Sequence, residues 1–208
     1  MSEGHREYAY HRAGLGCSHD YLLPKVLQII DRLKPRSLFE VGCGNGSVAD
    51  VLHRQGIDVQ GIDYSESGIR VARENYPHLK LAVGSAYDDL AGKYGKFPVV
   101  LSLEVVEHLF EPREFARCVC ALLEDGGSAI ISTPYHGYWK NLALALTGKM
   151  DAHFTALWDG GHIKFWSPET LARLLCEAGF RDIEVHRVGR IPALAKSMIV
   201  VARKPGVN

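Results

Sequence analysis

The sequence lacks the features of secreted, membrane-spanning and disulfide-rich proteins. Its five cysteines are an odd set without a C-x-x-C pair, which argues against a disulfide framework and against a zinc ribbon. No stretch approaches the ~18 uninterrupted apolar residues of a membrane-spanning helix, and the polar N-terminus lacks the apolar run of a secretory signal. These absences predict a cytoplasmic protein in a reducing compartment.

Net charge is absent as well. The 24 Lys and Arg residues balance the 24 Asp and Glu residues, so no net positive field attracts nucleic acid. We therefore expect no nucleic-acid partner. The 208 residues, 47% of them hydrophobic, can build the core of one medium-sized domain, and we expect a single domain over residues 1–208.

Short apolar runs alternate with amphipathic patterns along the chain. Strands are predicted at residues 37–41, 57–62, 79–83, 98–103 and 128–132, with helices at 21–33, 47–55, 65–75 and 112–123. This alternation predicts an α/β fold with a doubly wound, mostly parallel sheet. Ser167 and Pro168 start a further helix, after which strands at 183–188 and 197–202 predict a C-terminal antiparallel hairpin and seven strands in all.

Two segments depart from this alternation. Residues 134–166 form an aromatic-rich insertion that we expect to be partly helical, and residues 1–20 form an aromatic N-terminal arm. We expect both to cap a substrate site. Docking of the arm on the surface without a function is the alternative.

A glycine-rich turn follows the first predicted strand in Glu40-Val41-Gly42-Cys43-Gly44-Asn45-Gly46. Alternate glycines let a ligand approach the backbone, and N–H groups at the next helix start can bind polar ligand atoms, although a tight structural turn would need the same glycines. Asp63 ends the second predicted strand, where a carboxylate can accept hydrogen bonds from both hydroxyls of a ribose. The dinucleotide fingerprint G-x-G-x-x-G would need glycine in place of Ser47, which disfavours a nicotinamide-dependent oxidoreductase.

These residues resemble class I S-adenosylmethionine-dependent methyltransferases. The segment 40–46 is similar to their first motif, Asp63 to their ribose-binding acid, 84–88 to their adenine loop and 102–109 to their fourth-strand motif. The resemblance covers roughly residues 37–133 and 167–203. It implies a Rossmann-like methyltransferase fold and S-adenosylmethionine as the cofactor.

The resemblance also implies roles for individual residues. Gly42 and Gly44 would line the methionine part of the cofactor, and Asp63 would bind the ribose. Ala86 would meet the adenine edge through its backbone, and the Leu103 carbonyl would bind the amino group. The full set expected to contact the cofactor is Glu40, Gly42, Cys43, Gly44, Asp63, Tyr64, Ala86 and Leu103.

Two acids and a histidine follow the fourth predicted strand. Spacings of three and four residues would place Glu104 on one helical face with Glu107 and His108. The stretch is similar to the E-x-x-E-H sequence of ubiquinone-biosynthesis O-methyltransferases, in some of which these residues hold a divalent metal. We favour a site without metal, in which Glu104 faces the cofactor cleft while Glu107 and His108 make local hydrogen bonds. A metal site is the alternative.

The insertion supplies candidate acceptor contacts. His162 follows paired glycines that allow a sharp turn over the cleft, and it joins His108 and Glu104 as a catalytic candidate. Histidine suits general base catalysis at neutral pH if the acceptor is a hydroxyl. The expected acceptor-binding residues are His136, Tyr138 and Trp139. A lid that simply packs on the core would use the same aromatic residues.

The predicted function is methyl transfer from S-adenosylmethionine to a small-molecule acceptor, at oxygen. An N- or C-methyltransferase is the alternative within this class, and a nicotinamide-dependent oxidoreductase is the alternative from another. Leu142, Leu144 and Leu146 lie between Lys140 and Lys149, so this segment could contact a membrane surface and admit a prenylated acceptor. A helical lid explains the segment equally well.

Overall fold

The structure, a computed structural model, describes residues 9–206. Seven strands form one sheet in the order β3-β2-β1-β4-β5-β7-β6. Strands β1 to β5 are parallel, and β7 pairs antiparallel with both β5 and β6. The predicted sheet and its C-terminal hairpin are thus confirmed. The strands are β1 Ser37–Val41, β2 Asp58–Asp63, β3 Lys80–Val83, β4 Phe97–Leu103, β5 Leu123–Pro134, β6 Arg181–Val188 and β7 Ser197–Arg203.

Helices cover both faces of the sheet. Buried residues of α1, α2 and α3 form one apolar cluster, and buried residues of α4, α5 and α8 form the other. The two clusters explain why the central strands are apolar on both faces. The helices are α1 His19–Leu33, α2 Ser47–His53, α3 Glu66–Asn75, α4 Leu90–Tyr94, α5 Pro112–Leu122, α6 Tyr138–Leu146, α7 Met150–Phe154 and α8 Pro168–Glu177.

Local sequence signals fix the start of α8. The Ser167 hydroxyl accepts from the backbone N–H of Thr170 at 3.3 Å, and the Thr170 hydroxyl accepts from the backbone N–H of Ser167 at 2.9 Å. This reciprocal capping, with Pro168 in the first turn, confirms the helix start predicted from sequence.

The insertion is partly helical, as predicted, and contains α6 and α7. Neither helix has a buried residue. Within the described part of the chain, no helix combines the length and the apolar character needed to cross a membrane.

The strand order leaves a crevice between β1 and β4. The connection after β1 leads to β2 on one side, and the connection after β4 leads to β5 on the other. In open α/β sheets, ligands bind in such a crevice, outside the carboxyl ends of the strands.

Candidate functional site

A cavity of about 1720 Å³ lies at the carboxyl ends of β1, β2 and β4. This volume exceeds the ~300–1,000 Å³ of an ordinary small-molecule site, so it has room for a cofactor and a second molecule. The structure brings all eight residues expected to contact the cofactor to its wall: Glu40, Gly42, Cys43, Gly44, Asp63, Tyr64, Ala86 and Leu103.

The backbone N–H groups of the glycine-rich turn are engaged within the protein. Those of Gly42 and Cys43 donate to the Ile62 carbonyl at 2.8 and 2.9 Å. That of Gly44 donates to Asp63 Oδ2 at 2.7 Å. These three N–H groups are therefore used to hold the turn against β2, and that of Gly44 fixes the Asp63 carboxylate.

The first backbone N–H group of α2, that of Ser47, is also engaged within the protein. The Asn45 side-chain oxygen accepts from both the backbone N–H and the hydroxyl of Ser47, at 3.2 and 2.8 Å. A dinucleotide pyrophosphate normally binds to free N–H groups at this position. The arrangement disfavours the oxidoreductase alternative independently of the missing third glycine.

Asn45 and Ser47 also hold the N-terminal arm on the glycine-rich turn. The Asn45 side-chain amide donates to the carbonyls of Arg12 and Gly14, both at 3.0 Å, and Gly14 N–H donates to the Ser47 hydroxyl at 2.9 Å. Residues 9–19 of the arm line the cavity, while residues 1–8 lie outside the described residues. The sequence analysis did not predict that Asn45 and Ser47 bind the N-terminal arm. The one feature of the sequence that could have indicated it is the serine at position 47, where the dinucleotide fingerprint has glycine.

Glu40 provides an unsatisfied polar atom beneath the glycine-rich turn. Its side chain is buried, and among the described residues its Oε2 has no hydrogen-bond partner. Burial, and then the nearby Asp63 carboxylate, raise the pKa of Glu40 to about 8. A polar cofactor group would satisfy this atom, so the site fits a cofactor such as S-adenosylmethionine. Cys43, also buried, has a pKa raised well above its ordinary value by burial, which makes its thiol unreactive.

Glu104 does not share a helix with Glu107 and His108. Its φ of +56° is left-handed, and a single 3-10 turn over Val106–His108 follows it. The prediction of one shared helical face is therefore wrong. Glu104 accepts hydrogen bonds from the hydroxyls of Ser132 at 2.8 Å and Ser197 at 3.3 Å, while burial raises its pKa to about 7.

Glu107, His108 and His162 form a separate cluster. One potential ligand atom from each lies within 4.8 Å of the others. His108 Nδ1 lies 2.9 Å from the Gly160 carbonyl, which can only accept, so Nδ1 carries the proton and Nε2 is free to accept. His162 Nε2 is 4.0 Å from Glu107 Oε1, and burial, followed by the neighbouring His108, lowers the pKa of His162 to about 4.

This cluster fits a divalent metal. Both carboxylate oxygens of the buried Glu107 lack a hydrogen-bond partner among the described residues, and burial followed by the Glu104 charge raises its pKa well above the ordinary value. His108 makes the local hydrogen bond that the favoured metal-free interpretation requires. The backbone of Glu107 itself and the Thr133 hydroxyl lie near the Glu107 carboxylate, but neither meets hydrogen-bond geometry. A carboxylate and two neutral imidazoles are a common set of metal ligands.

The three predicted acceptor-binding residues lie outside the cavity wall. His136 is buried, with its ring centroid 5.1 Å from that of Phe165. Tyr138 and Trp139 are 73% and 64% exposed on the first turn of α6. Their contact with an acceptor stays a prediction. The insertion residues that do line the cavity include Lys140, Leu144, His153, Trp158 and His162.

Comparison with known proteins gives related sequences with a common description. The profile of a family described as "Methyltransferase domain" matches residues 10–185. A ubiquinone biosynthesis O-methyltransferase from a Caulobacter species is 36% identical over 157 residues, which are 72% of this chain but only 60% of that protein. One from Cereibacter sphaeroides is 30% identical over 182 residues, 81% of this chain and 72% of that protein.

Solved structures show the same fold. A SAM-dependent methyltransferase from Archaeoglobus fulgidus matches with a TM-score of 0.67 at 17% identity, over 88% of this chain and 93% of that one. The Rossmann-like methyltransferase fold implied by the sequence is thereby confirmed. From its profile match and its relatives, the chain belongs to the methyltransferase domain family.

Proposed function

We propose that this protein methylates a hydroxyl oxygen of a small-molecule acceptor. The observation that carries the proposal is that one cavity is lined both by the expected cofactor contacts and by Glu104, His108 and His162. The N-terminal arm and the insertion also line it, so we infer that they cap the substrates. The relatives named as O-methyltransferases support oxygen as the methylated atom.

The cofactor-binding residues would orient the methyl donor. S-adenosylmethionine supplies a methyl group on a sulfonium, which is electrophilic without further activation. Asp63 would accept from the ribose hydroxyls, Leu103 would accept from the amino group through its carbonyl, and Glu40 would meet a polar group below the turn. The protein then mainly has to align the acceptor oxygen and exclude water.

The acceptor hydroxyl must lose its proton during transfer. Neutral His162 has a nitrogen that can accept this proton, and binding of an anionic acceptor beside the ring would raise its pKa from about 4 toward the range of an effective base. His108 offers its free Nε2 in the same wall, and Glu104 is a third acceptor whose pKa of about 7 lies near neutrality. We propose His162 as the base because it comes from the insertion that covers the acceptor.

The methylated atom can be tested with matched acceptors. We expect 1,2-dihydroxybenzene derivatives to be methylated at oxygen by the purified protein, with one S-adenosylhomocysteine formed per product, as measured by mass spectrometry. The corresponding 1,2-diaminobenzenes are the control. Methylation of nitrogen or carbon would contradict the choice of oxygen, and NADH oxidation without methyl transfer would favour the oxidoreductase.

A divalent ion would be held by Glu107, His108 and His162, and Glu104 rather than His162 would then accept the proton. It would polarise an acceptor oxygen as a Lewis acid. We expect Mn²⁺ to bind the protein loaded with S-adenosylhomocysteine, and Glu107→Gln to abolish that binding, as measured by calorimetry. Glu111→Gln, at an exposed position just beyond this cluster, is the control and should bind Mn²⁺ normally.

The exposed face of α6 gives a prediction about lipid. Tyr138, Trp139 and Leu146 are 73%, 64% and 78% exposed, which is unusual for large apolar side chains on one short helix. We expect the protein to co-sediment with vesicles containing phosphatidylglycerol, and the Trp139→Ser, Leu146→Ser double variant to lose most of this binding. Val83→Ser, an exposed position on β3, is the control. If the unchanged protein does not bind the vesicles, the predicted contact between α6 and lipid is wrong.

A further inference from the structure

The acceptor side of the cavity is rich in positive charge. We define this side by the cations Lys140, Lys149, Arg190 and Lys196, which line the cavity together with His153 and His162. Within residues 9–206, three carboxylates line the cavity, and two of them, Glu40 and Asp63, lie at the glycine-rich turn. Glu104 is therefore the carboxylate that faces these cations.

Lys140 is fixed in the cavity wall by the backbone. Its Nζ donates to the Tyr135 carbonyl at 2.7 Å and to the Lys196 carbonyl at 3.3 Å. An ammonium has three N–H groups, so one remains for another acceptor. These contacts hold the ammonium in one place before any ligand arrives, which lowers the entropic cost of binding an anion.

The charge of Lys140 is only partly balanced. Burial, and then the nearby Arg190 guanidinium, lower the pKa of Lys140 to about 8, while Glu104 acts in the opposite direction. Burial raises the pKa of Glu104 to about 7, so this carboxyl is incompletely ionised at neutral pH. Half-buried charges are normally paired, and this arrangement favours an additional anion.

Arg190 offers a second donor at the edge of the cavity. It lies between β6 and β7, it is exposed, and among the described residues it forms no ion pair. A guanidinium presents its N–H groups in a planar fork that matches a carboxylate. A doubly charged phosphate would place more negative charge beside Glu104, so a single carboxylate suits the site better.

We propose that the methyl acceptor carries a carboxylate, bound by Lys140 and Arg190 on the acceptor side of the cavity. This inference rests on the proposed function, because it concerns the acceptor of that reaction. It gives Lys140 a role in acceptor specificity. The acceptor class is then an aromatic or aliphatic hydroxy acid rather than a neutral alcohol or phenol.

The test compares a charged probe with its neutral equivalent. S-adenosylhomocysteine is first titrated into the protein by calorimetry, and 3,4-dihydroxybenzoate or 3,4-dihydroxybenzamide is then titrated into the loaded protein. We expect the benzoate to bind about tenfold or more tightly than the benzamide, because a hydrogen-bonded charge pair replaces a neutral contact. Failure to bind S-adenosylhomocysteine would count against the proposed function itself, separately from this inference.

Variants identify the source of the preference. Lys140→Met keeps the aliphatic stem and should remove most of the benzoate preference while leaving the affinity for S-adenosylhomocysteine unchanged. Arg190→Gln, at an exposed position with little effect on folding, should reduce the preference partly. Lys96→Met is the control, because Lys96 directly precedes β4 and so lies at the amino ends of the strands, opposite the cavity. Equal affinity for the two probes, no binding of either, tighter binding of phenyl phosphate, or a preference retained in Lys140→Met would each overturn the proposal.

Discussion

Replacing Asp63 by alanine is expected to weaken the binding of S-adenosylmethionine by about 100-fold. The Asp63 carboxylate lies in the cavity wall, where its two oxygens accept from the backbone N–H groups of Gly44 and Ser65 at 2.7 and 2.8 Å. A carboxylate can accept about four hydrogen bonds, so it can also bind both ribose hydroxyls. Two hydrogen bonds to a charged group, at ~1.5 kcal/mol each, correspond to about two powers of ten in affinity.

The same substitution also frees the Gly44 N–H, which loosens the glycine-rich turn. Asp63→Asn separates these effects, because it keeps one acceptor oxygen and the side-chain volume, and we expect a loss of about tenfold. Asp58→Ala is the matched control, since Asp58 begins the same strand, is exposed and pairs with Lys80. Calorimetry with S-adenosylmethionine gives the dissociation constants. Unchanged affinity in folded Asp63→Ala protein would exclude a role for this acid in cofactor binding.

The cofactor side of the site was predictable because its residues are close together in sequence. The turn over residues 40–46 follows one strand, and Asp63 ends the next, so parallel strand order alone places them at one edge. Buried parallel strands are continuous apolar runs, which is why the predicted bounds of β1 are the observed ones. β5 begins earlier than predicted, at Leu123, which pairs with Phe97 of β4. Residues 124–127, which are acidic or glycine, form an irregularity before the pairing resumes at Ser128, so their sequence shows no strand pattern.

The acceptor side was not predictable in the same way. The Ser197 hydroxyl donates to Glu104 across 93 positions of sequence, and the Lys140 ammonium is held by the carbonyl of Lys196 across 56. No spacing within one element encodes such contacts. Lys140 appeared in sequence only as a flank of an apolar segment. The five-residue helices α4 and α7 also gave no signal, since they are too short to show a helical period.

Replacing Gly42 by alanine is expected to destabilise the fold by about 3 kcal/mol. Gly42 has a φ of +84°, a region in which a residue with a Cβ costs ~1–2 kcal/mol. A Cβ built at this position would overlap the Cγ2 atom of Val105, and it would also contact Cβ and Cγ1 of that residue. Overpacking of this kind adds ~1–3 kcal/mol.

Gly56→Ala separates strain from overlap. Gly56 has nearly the same φ, +86°, but a Cβ there would meet no atom within 4 Å. Gly56→Ala should therefore lower the free energy of unfolding by only about 1–2 kcal/mol, from backbone strain alone. Urea denaturation gives the two free energies of unfolding, and a chain of this length should lose ~2–4 °C in melting temperature per kcal/mol.

The double variant Gly42→Ala, Val105→Ala tests the cause directly. Removing the Val105 methyl groups eliminates the overlap but leaves the backbone strain, so the double variant should be more stable than the sum of the two single changes predicts. A difference of about 1 kcal/mol or more in this direction would assign the cost to the contact between the two residues. Additive effects, or equal costs for Gly42→Ala and Gly56→Ala, would show that Val105 does not limit the turn. In that case the glycine at position 42 would be required by its backbone conformation alone.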